Sequence, residues 1–231
     1  MNDAPLPTVD PPSLAIRGEG GRFPIRRVFC IGRNYAWDAA PSASAAVRDP
    51  LFFFMKPADT VVAAEGTLAH PPLTDDFCHE IELVVAIGRD GTDIAVQDAL
   101  EHVWGYAAGL DLTRRDLQLE AKALGRPWEG AKAFDAAAPC SPLVWAAATQ
   151  HPPRGAIWLT VNGALRQRAT LADLLWPIAD LIAFISRSVT LRAGDLIFTG
   201  TPPGVGALHP GDVVRGGVDG VADFAVTIGT R

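Results

Sequence analysis

The segment 77–88, FCHEIELVVAIG, constrains the fold of this 231-residue chain more than any other stretch. Valine, isoleucine and leucine dominate it, as in a strand at the centre of a sheet, yet it carries Glu80 and Glu82. Because strand side chains alternate between two faces, the two carboxylates are neighbours on one face and His79 points away as a core histidine. Adjacent buried carboxylates repel each other and lose hydration, so they need a compensating partner.

A divalent cation would compensate this carboxylate pair. Mg²⁺, Mn²⁺ and Ca²⁺ prefer hard oxygen ligands, and a third carboxylate would complete the set. Asp111 is the best candidate, because it follows the apolar run AAGL where a predicted strand meets a predicted helix. The alternative for Glu80 and Glu82 is a strand with one solvated face, and the alternative for Asp111 is a helix cap.

Strands outnumber helices in the rest of the chain, where short apolar runs are broken by glycine, proline and aspartate. Strands are predicted at 26–32, 51–56, 81–88, 103–112 and 195–200, with a hairpin around Asn162-Gly163 and a closing pair that turns at Asp219-Gly220. Helices are predicted at 113–125, capped by Thr113 and ended by Gly125, and at 176–189, with Pro177 in the first turn. These elements indicate a β-rich α+β fold, with a flexible extension over 1–22 and a single domain over 23–231.

Composition excludes several classes of protein. The net charge is -6, and no basic patch with interleaved aromatic residues indicates a nucleic-acid partner. The apolar runs are too short for a membrane span, and the polar N-terminus lacks the features of a signal peptide. Cys30, Cys78 and Cys140 have neither metal nor disulfide spacing, which is typical of reduced thiols in a cytoplasmic protein.

Basic and amide side chains are expected close to the carboxylates. Lys56 follows an apolar strand, Lys132 lies in the predicted loop RPWEGAKAFD, and Arg115 and Gln118 share one face of a helix. A metal ion flanked by these groups suits a small anion with two oxygen atoms, whereas surface lysines and a solvated helix face are the alternatives. The loop GTPPGVG, 200–206, indicates a tight turn that exposes backbone N–H groups.

Seven segments together resemble the fumarylacetoacetate hydrolase family, and most closely the fumarylpyruvate hydrolases of its acylpyruvate hydrolase group. They are IGRNYA (31–36), FFMKPAD (53–59), HEIELVVAIG (79–88), GLDLTRRDLQ (109–118), GRPWEGAKAFD (125–135), LTVNGALRQ (159–167) and GDLIFTGTPPGVG (194–206). The resemblance implies a mixed β-sandwich roll, a homodimer and a small 2-oxo-acid substrate. It also implies Mg²⁺ or Mn²⁺ held by Glu80, Glu82 and Asp111.

The same resemblance implies the remaining site residues and the reaction. The substrate contacts would come from Arg33, Tyr35, Lys56, Arg115, Gln118 and Thr201. Lys132 would stabilise the enolate that leaves when a C–C bond of an acylpyruvate breaks, giving pyruvate and a carboxylic acid.

The sequence departs from the family pattern after GRNYA. Family hydrolases carry there a histidine and, three residues later, a glutamate that together activate the attacking water. Asp38 and Pro41 stand at those positions here. Three explanations are open: Asp38 is a weaker base, the chain is an isomerase or decarboxylase that needs no such pair, or it binds an oxo acid without turnover.

Overall fold

The structure of the protein, a computed structural model, describes residues 10–36 and 49–230. In chain order its strands are β1 (Ser13–Ala15), β2 (Arg22–Pro24), β3 (Arg27–Ile31), β4 (Phe53–Lys56), β5 (Val61–Ala63), β6 (Thr67–Leu68), β7 (Phe77–His79), β8 (Ile81–Ile87), β9 (Val103–Leu110), β10 (Thr113–Arg114), β11 (Ala138–Cys140), β12 (Val144–Trp145), β13 (Ala156–Val161), β14 (Ala164–Thr170), β15 (Asp195–Phe198), β16 (Gly206–Ala207), β17 (Val213–Val218) and β18 (Ala222–Ile228). The α-helices are α1 (Arg115–Ala123), α2 (Glu129–Lys132) and α3 (Ile178–Ser188), and short 3₁₀ helices cover Ala58–Thr60, Val96–His102, Ala146–Ala148 and Leu171–Asp173.

Two large sheets organise the described residues. The first has eight strands in the order β4-β3-β15-β8-β9-β11-β5, with β12 paired to β9, and it mixes parallel and antiparallel pairs. The second has five strands in the order β14-β13-β17-β18-β6, and smaller sheets join β10-β7-β16 and β1-β2. The predicted β-rich α+β fold is confirmed.

Strand β8 lies inside the first sheet, and its two faces pack into different cores. Leu83 and Val85 face the second sheet and α3, where they share a core with Leu159 and Ile182. Val84 points the other way and packs with residues of β3 and β15. All seven residues of β8 are buried, so neither face of this strand is solvated.

The predicted hairpin, turns and second helix are confirmed. Asn162 and Gly163 connect β13 to β14 with φ of 52° and 79°, the left-handed pair that a tight hairpin turn requires. Helix α3 begins directly after Pro177, where the missing N–H costs no helical hydrogen bond. Gly125, with φ of 61°, follows the end of α1 as predicted.

Three local predictions are wrong. Residues 13–15 do not belong to a flexible extension, because β1 pairs with β2 and Leu14 is buried in the core. Thr113 does not cap α1, since it pairs with Cys78 in a sheet and its hydroxyl donates to the Asp111 carbonyl. Lys132 ends the short helix α2 instead of lying in a loop.

Among the described residues, no helix combines the length and the apolar character needed to cross a bilayer.

Candidate metal and oxo-acid site

Three carboxylates meet where β8 and β9 lie side by side. Glu82 is opposite Gly109 in the antiparallel ladder, and the Asp111 N–H donates to the Glu80 carbonyl at 2.9 Å. This register places one oxygen of each carboxylate of Glu80, Glu82 and Asp111 within 4.8 Å of the others. The exposed fractions of the three residues are 7%, 2% and 2%, so the solvated-face alternative is excluded.

The charges of this carboxylate trio are unevenly compensated. Burial raises the pKa of Glu82 well above its usual value, and the nearby carboxylates of Asp111 and Glu80 raise it further. Burial also acts to raise the pKa of Asp111, but the ammonium groups of Lys132 and Lys56 outweigh it and lower that pKa. A positive charge among the three carboxylates would remove the penalty that Glu82 carries.

The trio fits a hard divalent cation. Asp111 Oδ1 lies 2.9 Å from Lys56 Nζ, yet it is buried and accepts no hydrogen bond from any described group. The reason is that the Lys56 ammonium donates its N–H groups to the carbonyls of Leu112, Lys132 and Ala137. A buried carboxylate oxygen with free lone pairs, beside two further carboxylates, is the donor set that Mg²⁺ and Mn²⁺ prefer.

Lys56 occupies a different place from the one the sequence predicts. Its side chain is fully buried beneath Asp111 and does not line the neighbouring cavity. Because three main-chain carbonyls and Asp111 surround the ammonium group, it neutralises charge below the trio instead of reaching a substrate.

Lys132 lies directly against the trio. Its Nζ donates to Glu80 Oε2 at 2.8 Å and to Asp111 Oδ2 at 2.7 Å. Burial alone would lower the pKa of Lys132, but Asp111 and Glu80 raise it overall, so the amine stays charged at neutral pH. Two of its three N–H bonds are used by described residues, which leaves one for a ligand.

Arg115 and Gln118 extend this polar surface from helix α1. Arg115, the first residue of α1, donates to Gln118 Oε1 at 2.6 Å and also pairs with Glu80 Oε1. The two side chains meet because residues three apart share a helix face, as the sequence predicts. An arginine has further donors in its planar fork, which is suited to a carboxylate ligand.

These groups line a single cavity of 410 Å³. The predicted site residues that line it are Arg33, Glu80, Glu82, Asp111, Arg115, Gln118, Lys132 and Thr201. Sequence reasoning missed several other lining residues, namely Phe52, Phe54, Lys122 and Trp128. Phe54 and Trp128 lie inside the segments that carry the family resemblance, and Lys122 lies within α1. A larger cleft of 640 Å³ beside Trp145 and Trp158 lies apart from the trio.

Thr201 is held in place by a buried glutamine that sequence reasoning also missed. The Thr201 hydroxyl donates to the Ile81 carbonyl at 2.8 Å and accepts from Gln167 Nε2 at 2.8 Å. Gln167 Oε1 accepts from the Ile81 N–H and lies 2.9 Å from His79 Nδ1. His79 is therefore a hydrogen-bonded core histidine, as predicted. Gln167 is the one fully buried residue of β14, and no sequence pattern indicates this, because its partners are distant in the chain.

The GRNYA segment contributes one side chain to the cavity. Arg33 lines its open side and pairs with Asp49 at 3.0 Å. Tyr35 is buried and does not line the cavity, and its hydroxyl has no hydrogen-bond partner among the described residues. Burial, followed by the charges of Glu82 and Asp173, raises the pKa of Tyr35. Asp38 and Pro41 lie outside the described residues.

Known proteins with similar sequences include a hydrolase and a tautomerase. The chain is 43% identical over 178 residues to fumarylpyruvate hydrolase of a Ralstonia species. The aligned region covers 77% of this chain and 92% of the relative. It is 41% identical over 202 residues to oxaloacetate tautomerase YcgM of Escherichia coli K12, with 86% and 90% covered.

A solved structure is similar over almost the whole chain. Fumarylpyruvate hydrolase from Pseudomonas aeruginosa, crystallised in complex with Mn²⁺ and pyruvate, superposes with a TM-score of 0.92 at 47% identity, covering 98% of this chain and 99% of the other. The model of the Fumarylacetoacetate (FAA) hydrolase C-terminal family matches residues 27–229. With this match, the predicted sandwich roll and the buried acidic trio in agreement, the chain belongs to the fumarylacetoacetate hydrolase family.

Proposed function

We propose that this protein is a metal-dependent hydrolase that cleaves the C–C bond of a fumarylpyruvate-like 2,4-dioxo acid to give pyruvate and a carboxylic acid. The observation that carries the proposal is the buried trio of Glu80, Glu82 and Asp111, which forms the deep end of a cavity also lined by Lys132 and Arg115. The similarity to a fumarylpyruvate hydrolase that was crystallised with Mn²⁺ and pyruvate supports it.

The trio would hold Mg²⁺ or Mn²⁺. When bound, such an ion acts as a Lewis acid that polarises the carbonyl groups of a 2-oxo acid. Every other contribution comes from the chain itself. Arg115 and Gln118 bind the substrate carboxylate, because the guanidinium retains donors beyond those used by Glu80 and Gln118.

Lys132 is the proposed electrophilic catalyst. The leaving group of the C–C cleavage is an enolate, whose negative charge is stabilised by a fixed cation in a site that excludes water. Lys132 is charged, 2% exposed and held by Glu80 and Asp111, with one N–H bond left to donate. Thr201, fixed by Gln167, adds a hydroxyl at the same cavity wall.

Asp38 is the proposed general base, because the resemblance of the GRNYA segment to the family pattern aligns it with the family's histidine. A carboxylate has a lower pKa than an imidazole and is the weaker base, so slower hydrolysis is expected than with the His–Glu pair. Enol–keto isomerisation is the second candidate function, since it needs proton transfer but no attacking water. The 41% identity to an oxaloacetate tautomerase favours it specifically. The remaining alternatives are decarboxylation of an oxo acid and binding of an oxo acid without turnover.

The deciding experiment follows the enol absorbance of a 2,4-dioxo acid with purified protein and added Mn²⁺ or Mg²⁺. Loss of absorbance with pyruvate as product supports hydrolysis, whereas an unchanged carbon skeleton identifies an isomerase and released CO₂ a decarboxylase. No loss above buffer with the metal present would contradict the hydrolase. Asp38→Ala is expected to abolish turnover and to keep oxalate binding, which separates the proposed base from the binding site.

The assembly and compartment belong to the same proposal. We expect a cytoplasmic homodimer whose residues 23–231, together with the β1 strand, form one catalytic domain. Light scattering on the purified protein gives the mass directly, and the mass of a single 24.5 kDa chain at micromolar concentration would exclude the dimer.

A further inference from the structure

An apolar cavity lies between the start of α3 and the segment that precedes β13. Its volume is 500 Å³, within the range of small-molecule sites. Its lining is apolar except for one arginine, and it includes Leu100, Leu171, Leu174 and Ile178. None of its lining residues also lines the cavity of the carboxylate trio, so the apolar cavity is a separate place on the molecule.

Prolines keep part of the cavity wall fixed and free of hydrogen-bond donors. Pro152, Pro153 and Pro177 line the cavity, and proline has a restricted φ and no N–H. Two sides of the cavity are tied together, because the Leu171 N–H donates to the Gly155 carbonyl at 3.1 Å. The cavity is therefore formed before a ligand arrives, which lowers the entropic cost of binding.

Arg154 is the one charged side chain among the described residues that line this cavity. It is exposed, and it forms no salt bridge with any residue that the structure describes. Two nearby carboxylates are directed elsewhere: Asp173 accepts from the hydroxyl and the N–H of Thr170, and Asp180 lines a different cavity. The apolar interior thus has one uncompensated positive charge at its edge.

This combination of an apolar interior and a positive edge defines the ligand that fits it. A polar ligand would lose water and find no hydrogen-bond donor on the proline wall. A neutral apolar ligand would leave the guanidinium group of Arg154 without an anion, whereas a carboxylate can accept two N–H bonds from that group. An apolar chain that ends in a carboxylate satisfies both parts of the cavity.

We propose that the apolar cavity is a second ligand site, which takes a medium-chain carboxylate with its chain among the leucines and its carboxylate on Arg154. The site is independent of the proposed function, because it lies apart from the trio and needs neither a metal ion nor turnover.

Calorimetry on the Mn²⁺-loaded protein tests the chemistry of the ligand by comparing octanoate with hexanoate and with octanamide. Two further buried methylene groups should make octanoate bind about 10-fold more tightly than hexanoate. Octanamide has the same chain without the charge. It should bind about 3-fold more weakly than octanoate, in the range of an exposed ion pair.

Arg154→Met should remove the preference for octanoate over octanamide and keep the preference for octanoate over hexanoate. Arg168→Met is the matched control, because it removes an exposed arginine of β14 that does not line the apolar cavity. Both ratios in this control should equal those of the wild type. Arg154 is exposed, so its replacement leaves the core intact and the test remains decisive.

Ala172→Trp tests the location of the site. Ala172 is an exposed residue of a 3₁₀ helix and lines the cavity, so a tryptophan there should fill it and weaken octanoate binding by at least about 10-fold. Ala147→Trp is the control, at an exposed position of another 3₁₀ helix outside this cavity, and it should bind octanoate as the wild type does.

Three results would overturn the proposal. They are no binding of octanoate, equal affinity of the wild type for octanoate and octanamide, and octanoate binding that Ala172→Trp leaves unchanged, which would locate the carboxylate at the metal ion. A dimer that Ala172→Trp converts to a monomer would instead identify a second copy of the chain as the occupant. Absent cleavage of a dioxo acid, the failure of the proposed function, would leave all these ratios as they are.

Discussion

Glu82 differs from its two partners in how its charge is compensated. Glu80 contacts Arg115 and Lys132, and Asp111 contacts Lys132 and Lys56. Among the described residues, Glu82 accepts a hydrogen bond only from the Gly200 N–H, at 2.7 Å. Its raised pKa follows from burial and from the neighbouring negative charges of Asp111 and Glu80. Glu82 is therefore the residue whose replacement best separates metal binding from folding.

Glu82→Gln is expected to change metal affinity and stability in opposite directions. Loss of one anionic ligand should weaken Mn²⁺ binding by at least about 10-fold, measured by calorimetry. The metal-free variant should melt about 2–4 °C higher than metal-free wild type at pH 7. The melting temperature should rise because a carboxylic acid whose pKa is raised in the folded state destabilises the fold at any pH above its unfolded-state pKa. Glutamine does not ionise, so the variant lacks this destabilisation.

Glu65→Gln is the control for this change, since Glu65 is exposed and lies outside the cavity. It should leave both Mn²⁺ affinity and melting temperature at the wild-type values. Unchanged Mn²⁺ affinity in Glu82→Gln would count against the ligand assignment, and a lower melting temperature would count against the electrostatic account of Glu82.

At the scale of secondary-structure elements, the carboxylate of Asp116 anchors the first turn of helix α1. Asp116 accepts hydrogen bonds from the Thr74 hydroxyl at 2.6 Å, the Asp75 N–H at 2.9 Å and the Leu117 N–H at 2.9 Å. Burial acts to raise the pKa of Asp116, but these bonds outweigh it and lower the pKa. Because α1 carries Arg115 and Gln118, this anchor also sets the position of the helix face that we propose binds the substrate.

Asp116→Ala should destabilise the protein by about 1–2 kcal/mol at pH 7, measured by urea unfolding. A carboxylate with a lowered folded-state pKa stabilises the fold above its unfolded pKa of about 3.9, and this contribution is lost as the pH falls through the folded-state value. The difference from wild type should therefore shrink below about pH 4. Asp98→Ala, at an exposed position of a 3₁₀ helix, should show no such difference.

The loop after β15 depends on a glycine for both its shape and its contact with the trio. Gly200 has φ of 98°, and a Cβ there would lie 2.7 Å from the Asn34 Cβ. Gly200→Ala should lower stability by about 2–3 kcal/mol and weaken Mn²⁺ binding, because the N–H that supports Glu82 shifts. Gly211→Ala is the matched control, as Gly211 has φ of 94° but open space around it.

The Gly211 variant should show only the conformational cost of about 1 kcal/mol and no change in Mn²⁺ affinity. Denaturant unfolding and calorimetry on both variants measure the two effects. Equal losses of stability in Gly200→Ala and Gly211→Ala would show that the contact of a residue-200 side chain with Asn34 does not contribute to the destabilisation.

Local patterns explain which elements the sequence predicts well. Apolar alternation identified β8 and placed Glu80 and Glu82 on one face, because a strand of period two admits no other arrangement. The Asn162-Gly163 turn and the Pro177 start of α3 are equally local. The prediction that Thr113 caps α1 is wrong because the backbone of Thr113 pairs with Cys78 in a sheet and so cannot also form the start of the helix.

Residues whose role depends on distant contacts escaped sequence reasoning. Lys56 and Ala137 are 81 positions apart, and nothing local indicates that a lysine after a strand is enclosed by carbonyls. Gln167 reaches His79 across 88 positions, and Lys122 becomes part of the cavity only because α1 packs beside Trp128. Such contacts arise from tertiary packing, which neither periodicity nor turn chemistry encodes.

At the scale of the whole molecule, the trio links strands that belong to the largest sheet. Glu82 is in β8, Asp111 directly follows β9, and both strands also contact the five-stranded sheet. An ion that binds these residues only when the strands are paired stabilises the folded state against global unfolding, by mass action.

Saturating Mn²⁺, at about 100 times its dissociation constant, should therefore stabilise the protein by about 2.7 kcal/mol. For a chain of this size the melting temperature should rise by about 5–10 °C, measured by scanning calorimetry. EDTA should reverse the shift. No rise with either Mn²⁺ or Mg²⁺ would mean that the folded trio does not hold these ions.

Lys56 has a consequence for the response of the site to ionic strength. Its charge is sealed from solvent and every N–H faces an acceptor, so counterions cannot approach it and the field it exerts on Asp111 persists in concentrated salt. Arg33 and Lys122 stand in water and are screened. Added salt is therefore expected to weaken the attraction of Arg33 and Lys122 for anions and to leave the interaction of Lys56 with Asp111 unchanged.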